Sequence, residues 1–378
     1  MSDTNANAAP MNGPAARVGS PAGHNGLVTL PDRSKHLPGD LPLLSVRDLR
    51  VTLATARGPA DALRGVSFEL ARGATLGLIG ESGCGKSMTA LALMGLLPGG
   101  AQVSGSIRLN GTELVGLDDA ALCKLRGNRI AMVFQEPMTA LNPLHTIGDQ
   151  IAEPLRLHKG MGRRAARAEA LRLLDRVQLP QAAQRLDAHP HQLSGGQRQR
   201  VTIAMALACG PDVLIADEPT TALDVTIQSE ILDLIAELVK DSGMALLLIS
   251  HDLGVMARVV SRMLVMYGGT VVESGPTGEV FAHLAHPYTR GLYGARPRLG
   301  SARVNGRKPR LATIPGRVPE LANMPAGCPF ADRCAWVVDA CREAMPPLLR
   351  VAPAHDARCI RLGAVAGELA PGASAAAA

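Results

Sequence analysis

Apolar and polar residues alternate at Leu43-Leu44-Ser45-Val46 and again at Val66-Ser67-Phe68-Glu69-Leu70, which predicts strands there. The next run, Thr75-Leu76-Gly77-Leu78-Ile79, is short, apolar and leads into a glycine-rich loop, the texture of a buried strand. Residues 87–97 then switch to helical spacing. A second strand-like run, Ile130-Ala131-Met132-Val133-Phe134, stops at Gln135. Residues 147–177 are rich in Arg, Ala and Leu and read as helices, and 197–207 continue as a helix after a Gly-Gly pair. Two further apolar runs, 213–216 and 245–249, are expected of parallel strands covered on both faces, with a helix over 227–239 between them. Gly268-Gly269 separates 263–266 from 270–273 and predicts a hairpin.

The ends differ in texture. Residues 1–42 are rich in Ala, Gly, Pro and Asn without apolar periodicity, and read as a disordered tail. Beyond Arg296 the chain turns Pro- and Arg-rich with clustered Cys, so a boundary is expected there. This divides the chain into a main domain over 43–295, with a helical part over about 136–207, a smaller segment over 296–362, and an Ala-rich tail over 363–378 expected to fray. No motif repeats, so one such unit is expected.

Composition narrows the classes. Apolar residues make up 47% but aromatics only 2%, so the core must rest on Leu, Val, Ile, Ala and Met. No apolar run approaches the roughly 18–20 residues that span a bilayer, and no basic stretch followed by an apolar one opens the chain. A cytoplasmic protein is expected, which would serve a membrane only by docking to other subunits. Net charge is +6, and residues 290–317 hold basic groups without acidic ones. That stretch is either a solvated linker or a contact for anionic lipid or an acidic partner. Nucleic acid is not expected, since few aromatics are available for stacking.

Candidate chemistry begins at Gly80-Glu81-Ser82-Gly83-Cys84-Gly85-Lys86-Ser87, which fits the phosphate-loop pattern and sits between a strand and a helix. Its glycines let backbone N–H groups turn inward around a β-phosphate, and the helix N-terminus adds partial positive charge. Lys86 should reach the β- and γ-phosphates, and Ser87 should ligate Mg²⁺. Asp217 and Glu218 close an apolar strand at 214–216, where both side chains can face a nucleotide.

Between loop and acidic pair lies Leu193-Ser194-Gly195-Gly196-Gln197. With these motifs in this order, the chain resembles the ATP-binding-cassette (ABC) ATPases. The resemblance implies an α/β, RecA-like P-loop NTPase core with antiparallel β and α-helical subdomains, and a nucleotide contact running from Gly80 to Met88. It implies Asp217 in the Mg²⁺ shell, Glu218 as general base, and Gln135 near Mg²⁺ and the attacking water. His251 matches the switch histidine that touches the γ-phosphate, and Asp224 lies in the loop that signals across a dimer. The resemblance further implies that residues 193–197 open a helix whose N-terminus would clamp the γ-phosphate held by the opposing subunit, with ATP as interfacial glue. One departure stands out. The family stacks adenine on an aromatic residue upstream of the loop, and none lies between Leu44 and Val66; Leu53 holds the expected position, and Arg57 is the nearest planar cation.

Cys328, Cys334, Cys341 and Cys359 form a second dense signal. Disulfides are disfavoured in the cytoplasm, and four thiolates suit an iron–sulfur cluster or Zn²⁺, with free structural thiols as the remaining reading. Cys84, Cys123 and Cys209 read as small apolar residues. The cysteine spacing resembles the C-terminal extension of the oligopeptide/dipeptide importers, where a [4Fe–4S] site occurs. Ser45-Val46-Arg47-Asp48-Leu49, residues 134–143, His286-Pro287-Tyr288-Thr289 and Thr313-Ile314-Pro315-Gly316 carry the same resemblance, which covers about residues 43–362. It implies an ATPase subunit on the cytoplasmic face of the membrane, paired with a second ABC ATPase, docked on two permeases and supplied by an extracytoplasmic substrate-binding protein. Nickel or glutathione import, and an ABC ATPase of DNA repair or translation, stand as alternatives.

Overall fold

The computed structural model describes residues 42–221, 223–296 and 313–367. The N-terminal tail up to 41, most of the basic stretch and residues 368–378 lie outside the described residues, so the expectations made for them stand there untouched. The C-terminal tail does not fray from its start at 363. Leu362–Gly367 is a short helix, and Val365 within it is buried, so an apolar contact holds the turn.

The described strands are, in chain order, β1 (Leu44–Thr55), β2 (Gly58–Leu70), β3 (Thr75–Ile79), β4 (Gln102–Leu109), β5 (Thr112–Glu113), β6 (Ile130–Val133), β7 (Val213–Asp217), β8 (Ala245–Ser250), β9 (Arg262–Tyr267), β10 (Thr270–Pro276), β11 (Leu349–Ala352) and β12 (His355–Ala357). They form two sheets. One is antiparallel, in the order β2-β1-β4-β5. The other is mixed, in the order β11-β12-β10-β9-β3-β8-β7-β6; pairing is parallel from β9 to β6 and antiparallel from β9 outward to β11.

Continuous apolar runs make physical sense in that centre. Along a strand, side chains alternate between faces. Leu214, Ala216, Leu246 and Leu248 enter one core with the helices Ile147–Lys159, Arg163–Arg176 and Gly195–Leu207. Val213, Ile215, Ala245, Leu247 and Ile249 enter the other, with β1, β2, β4 and the helix Lys86–Met94. Both faces are covered, so neither can be polar. The carboxyl ends of β3, β6, β7 and β8 therefore converge at one edge of the layer, the place where open α/β sheets bind ligands.

The C-terminal segment adds to this sheet. β12 pairs with β10, Glu273 facing Ala357. Beside that pairing, His355 Nε2 lies 2.8 Å from Glu273 Oε1, and both side chains are fully buried. Glu273 also accepts the backbone N–H groups of Ala285 and His286, each at 2.9 Å. A buried carboxylate satisfied in this way pins β12 and the 285–286 turn to the cassette.

Candidate functional site

The phosphate loop leaves β3 at Ile79 and closes onto the helix Lys86–Met94. Two of its glycines are needed for space as well as conformation. A Cβ on Gly80 would stand 2.3 Å from the Met266 carbonyl oxygen, and Gly85 has φ +103. Gly85 is the N-cap of the helix and offers no side-chain cap, so the first-turn N–H groups have no side chain competing for them. The Lys86 ammonium, 6% exposed, donates to the carbonyls of Gly80 at 2.8 Å and Glu81 at 3.1 Å. Cys84 is fully buried, and burial pushes its thiol pKa up, as its reading as a small apolar residue requires. Ser82, Gly83, Gly85, Lys86, Ser87 and Met88 line an open cleft of about 700 Å³ with Ala62, Gln135, Glu218 and Leu321. Glu81 turns away from that cleft: its carboxylate accepts from Arg333 at 2.6 and 3.1 Å, and its backbone N–H donates to Tyr288 Oη at 2.6 Å.

The acidic pair is split by a backbone kink. Asp217 ends β7 and is 4% exposed, whereas Glu218 adopts φ +44 while its N–H still donates to the Ile249 carbonyl at 2.9 Å. That left-handed residue costs on the order of 1 kcal/mol or more, and it turns Glu218 to the same edge as Asp217. Burial pushes the Asp217 carboxyl up, and a hydrogen bond with Ser87 pulls the other way. Asp217 Oδ1 is buried without a protein partner. Glu218 Oε2 gathers three groups: Gln135 Nε2 at 3.3 Å, His251 Nδ1 at 3.3 Å and Thr221 Oγ1 at 3.0 Å. The structure thus brings Gln135, Glu218 and His251 together beside the Lys86 loop; Thr221 is an addition that no local pattern announced.

Residues 193–197 stand elsewhere. None of them is among the described residues lining the cleft of their own chain. Leu193 is buried, whereas Ser194 and Gly195 are exposed at the start of the helix Gly195–Leu207. A Cβ on Gly196 would meet Ile227 at 2.8 Å, and one on Gly195 would meet Leu223 at 3.2 Å, so this helix start packs closely on the segment carrying Asp224. Asp224 is itself exposed and caps the helix Val225–Ser242 by accepting from the Ile227 N–H at 3.0 Å. Val225 beside it is 81% exposed.

Leu53 packs toward the apolar core, and Arg57 is not stacked on the cleft but donates to Glu320 at 2.8 Å, 263 residues away. The four C-terminal cysteines do come together. Cys328, Cys334, Cys341 and Cys359 line one small shared cavity of about 10 Å³. The backbone N–H groups of Phe330, Trp336 and Arg361 donate to the sulfurs of Cys328, Cys334 and Cys359, the last at 3.3 Å. Burial nevertheless pushes the Cys328 thiol up to about 11. Among the described residues, no three of His, Cys, Asp or Glu are grouped so as to hold a metal ion.

Comparison with known proteins identifies the family. The family model described as ABC transporter matches residues 63–221, and the one described as oligopeptide/dipeptide transporter, C-terminal region, matches 272–341. A putative peptide import ATP-binding protein of Brucella melitensis is 52% identical over 328 residues, covering 85% of this chain and 97% of that protein. The oligopeptide transport ATP-binding protein OppD of Salmonella typhimurium is 47% identical over 319 residues, covering 84% of this chain and 93% of its own. Among solved structures, the dimeric post-hydrolysis state of the ATP-binding cassette MJ0796, bound to ADP and Pi, superposes with a TM-score of 0.56 at 30% identity, over 62% of this chain and 98% of that one.

Proposed function

This chain belongs to the ABC transporter ATPases of the oligopeptide/dipeptide group, and from that premise we propose that it powers uptake of di- and oligopeptides as one of two cassettes on a pair of permeases. It is an ATP-binding and ATP-hydrolysing subunit of an importer. The matches to peptide-import subunits and to their C-terminal region do not favour a role in DNA repair or translation.

The observation that carries the reading is the convergence of Gln135 and His251 on Glu218 at the edge of the Lys86 loop, with Ser194 and Gly195 exposed elsewhere. In this reading the Lys86 ammonium exchanges its carbonyl partners for phosphate oxygens. Glu218 takes a proton as water attacks the γ-phosphorus; the bond to the bridging oxygen breaks, and ADP and phosphate leave. Such general-base help is worth about 10²–10⁴-fold. Gln135 and His251 hold the Glu218 carboxylate. Ser87, Asp217 and Gln135 would hold Mg²⁺, which when bound neutralises charge on the β- and γ-oxygens; the buried, unpartnered Asp217 Oδ1 fits that role. Ser194, Gly195, Gly196 and Gln197 of one subunit close the site of the other, and Asp224 reports across the pair. The expected partners are a second ABC ATPase, two permeases and an extracytoplasmic substrate-binding protein. Among the described residues no helix is long and apolar enough to cross a membrane, so attachment at the cytoplasmic face would run through the permeases.

The C-terminal thiols support a resident group. Burial raises the thiols of Cys328, Cys334 and Cys359, and backbone N–H donors on the three sulfurs oppose that rise. Four thiols lining one shared cavity are a donor set that suits a [4Fe–4S] cluster, with Zn²⁺ as the alternative. Anaerobically purified protein should be brown and carry about four irons; stoichiometric zinc without iron would contradict this. The import reading is tested with the assembled transporter: ATP hydrolysis should be stimulated by peptides over nickel or glutathione. Co-purification with DNA or ribosomes instead of permeases would contradict it.

A further inference from the structure

Of the residues lining the cleft, Gln135 and Glu218 are bonded to each other at 3.3 Å and belong to the chemistry above. Ala62 and Leu321 line it too without a part in that chemistry, and the short helical turn Leu321–Asn323 packs on β2. No aromatic residue lies on the chain between Leu44 and Val66, and Leu53 packs toward the core. A nucleobase bound in this cleft still needs an apolar surface against one face to exclude water.

We propose that the C-terminal segment supplies that surface, with Leu321 as the side chain on which the adenine of ATP rests. The proposal deepens the ATP-binding reading above and rests on it. Leu321 is half-buried and lines the same cleft as Ser82, Gly83 and Met88. The segment is held there from several sides. Arg57, at the tip of the β1–β2 hairpin, donates to Glu320 at 2.8 Å. Arg64 on β2 donates to the Pro325 carbonyl at 3.1 Å. A Cβ on Gly268 would stand 2.7 Å from Pro329 Cβ and 3.2 Å from Met324 Sδ, so the β9–β10 turn leaves just enough room for this strap. The base wall thus comes from the segment that carries the cysteines, and base recognition is a property of the C-terminal region.

Equilibrium binding to the full-length chain tests this with two probes: Mg·ATP, and tripolyphosphate, which has the phosphates but no base. Leu321→Ala and Leu321→Asp should weaken ATP about tenfold or more and leave tripolyphosphate unchanged. Leu321→Tyr, which restores a ring, should bind ATP at least as tightly as the parent. Lys86→Ala should weaken both probes. ATP binding unchanged in Leu321→Ala and Leu321→Asp would overturn the proposal while the ATP-binding reading stands. Equal loss of both probes in those variants would also overturn it, since the segment would then be shaping the phosphate loop. A parent chain that binds neither probe would bring down the ATP-binding reading and the proposal with it.

Discussion

Two helix N-termini in this molecule, those of Lys86–Met94 and Gly195–Leu207, are built in opposite ways. The helix Lys86–Met94 starts from Gly85 with no side-chain cap, inside a cleft, beside a buried lysine. The helix Gly195–Leu207 starts from Ser194, whose hydroxyl accepts the Gln197 N–H while the Gln197 side chain accepts the Ser194 N–H at 3.1 Å. The first leaves its donors for a ligand that its own chain surrounds. The second is stable without a ligand, by about 1 kcal/mol of capping, and points its dipole into solvent. In the proposed function these are the two unlike halves of one anion site, and they do not meet within one chain. That proposal accounts for a machine that closes only when two copies, or two paralogues, share ATP.

The largest effect should come from the chemistry at the loop half. Glu218→Gln keeps the hydrogen bonds to Gln135 and Thr221 possible but removes the base, so turnover should fall by about 10²–10⁴-fold with ATP binding retained. A closed pair should then accumulate in size-exclusion chromatography with ATP. Hydrolysis at the parent rate would reassign the base.

A smaller effect should separate the two halves by stability. Arg333 is 5% exposed on its side chain and grips Glu81 of the loop with both nitrogens. Arg333→Ala strands that carboxylate. The cost should be about 3 kcal/mol, the low end for a buried pair because Glu81 stays 28% exposed. The thermal midpoint and ATP affinity should both drop, while hydrogen exchange in the helix Gly195–Leu207 stays as in the parent. Loss of protection in both helices alike would mean that the halves are not independent.

The smallest effect should appear in acid. His286 is buried, which lowers its pKa from about 6.5 to about 4, with the Glu273 charge opposing. Its neutral Nδ1 accepts the Tyr288 N–H at 3.1 Å, and Tyr288 Oη in turn accepts from Glu81. The folded chain binds fewer protons than the unfolded one below pH 6.5. This stabilisation is therefore complete above that pH and lost as pH falls toward about 4. It amounts to at most about 3 kcal/mol. Denaturant titrations across that window should show the decline, and His286→Gln should flatten it.

The two halves also differ in how far the sequence announces them. The buried strands were legible because short apolar runs between turn signals have few other uses, and 213–216 and 245–249 became β7 and β8 nearly to the residue. The loop and the helix that opens after the Gly-Gly pair were legible because each pattern works through neighbours a few residues away. The left-handed backbone of Glu218 had no signal, since any residue type can be forced there by its surroundings. Arg333 on Glu81 and Glu320 on Arg57 join positions 252 and 263 apart, and such pairs leave no periodicity to read. β11 and β12 were missed for a similar reason: Leu349–Ala352 and His355–Ala357 are too short to show alternation, and β10 gives them an edge to pair with.

The central claim is that neither half-site turns over ATP alone. The direct measurement is ATP turnover per polypeptide, with the cassette pair diluted through its monomer–dimer transition, for the parent and for Ser194→Asp. Aspartate preserves the helix cap but sets a negative charge where the γ-phosphate must dock. Turnover should track the paired fraction in the parent and be lower by about 100-fold in the variant, with monomer ATP affinity equal in both. A monomer that hydrolyses ATP at full rate, undisturbed by Ser194→Asp, would contradict the account.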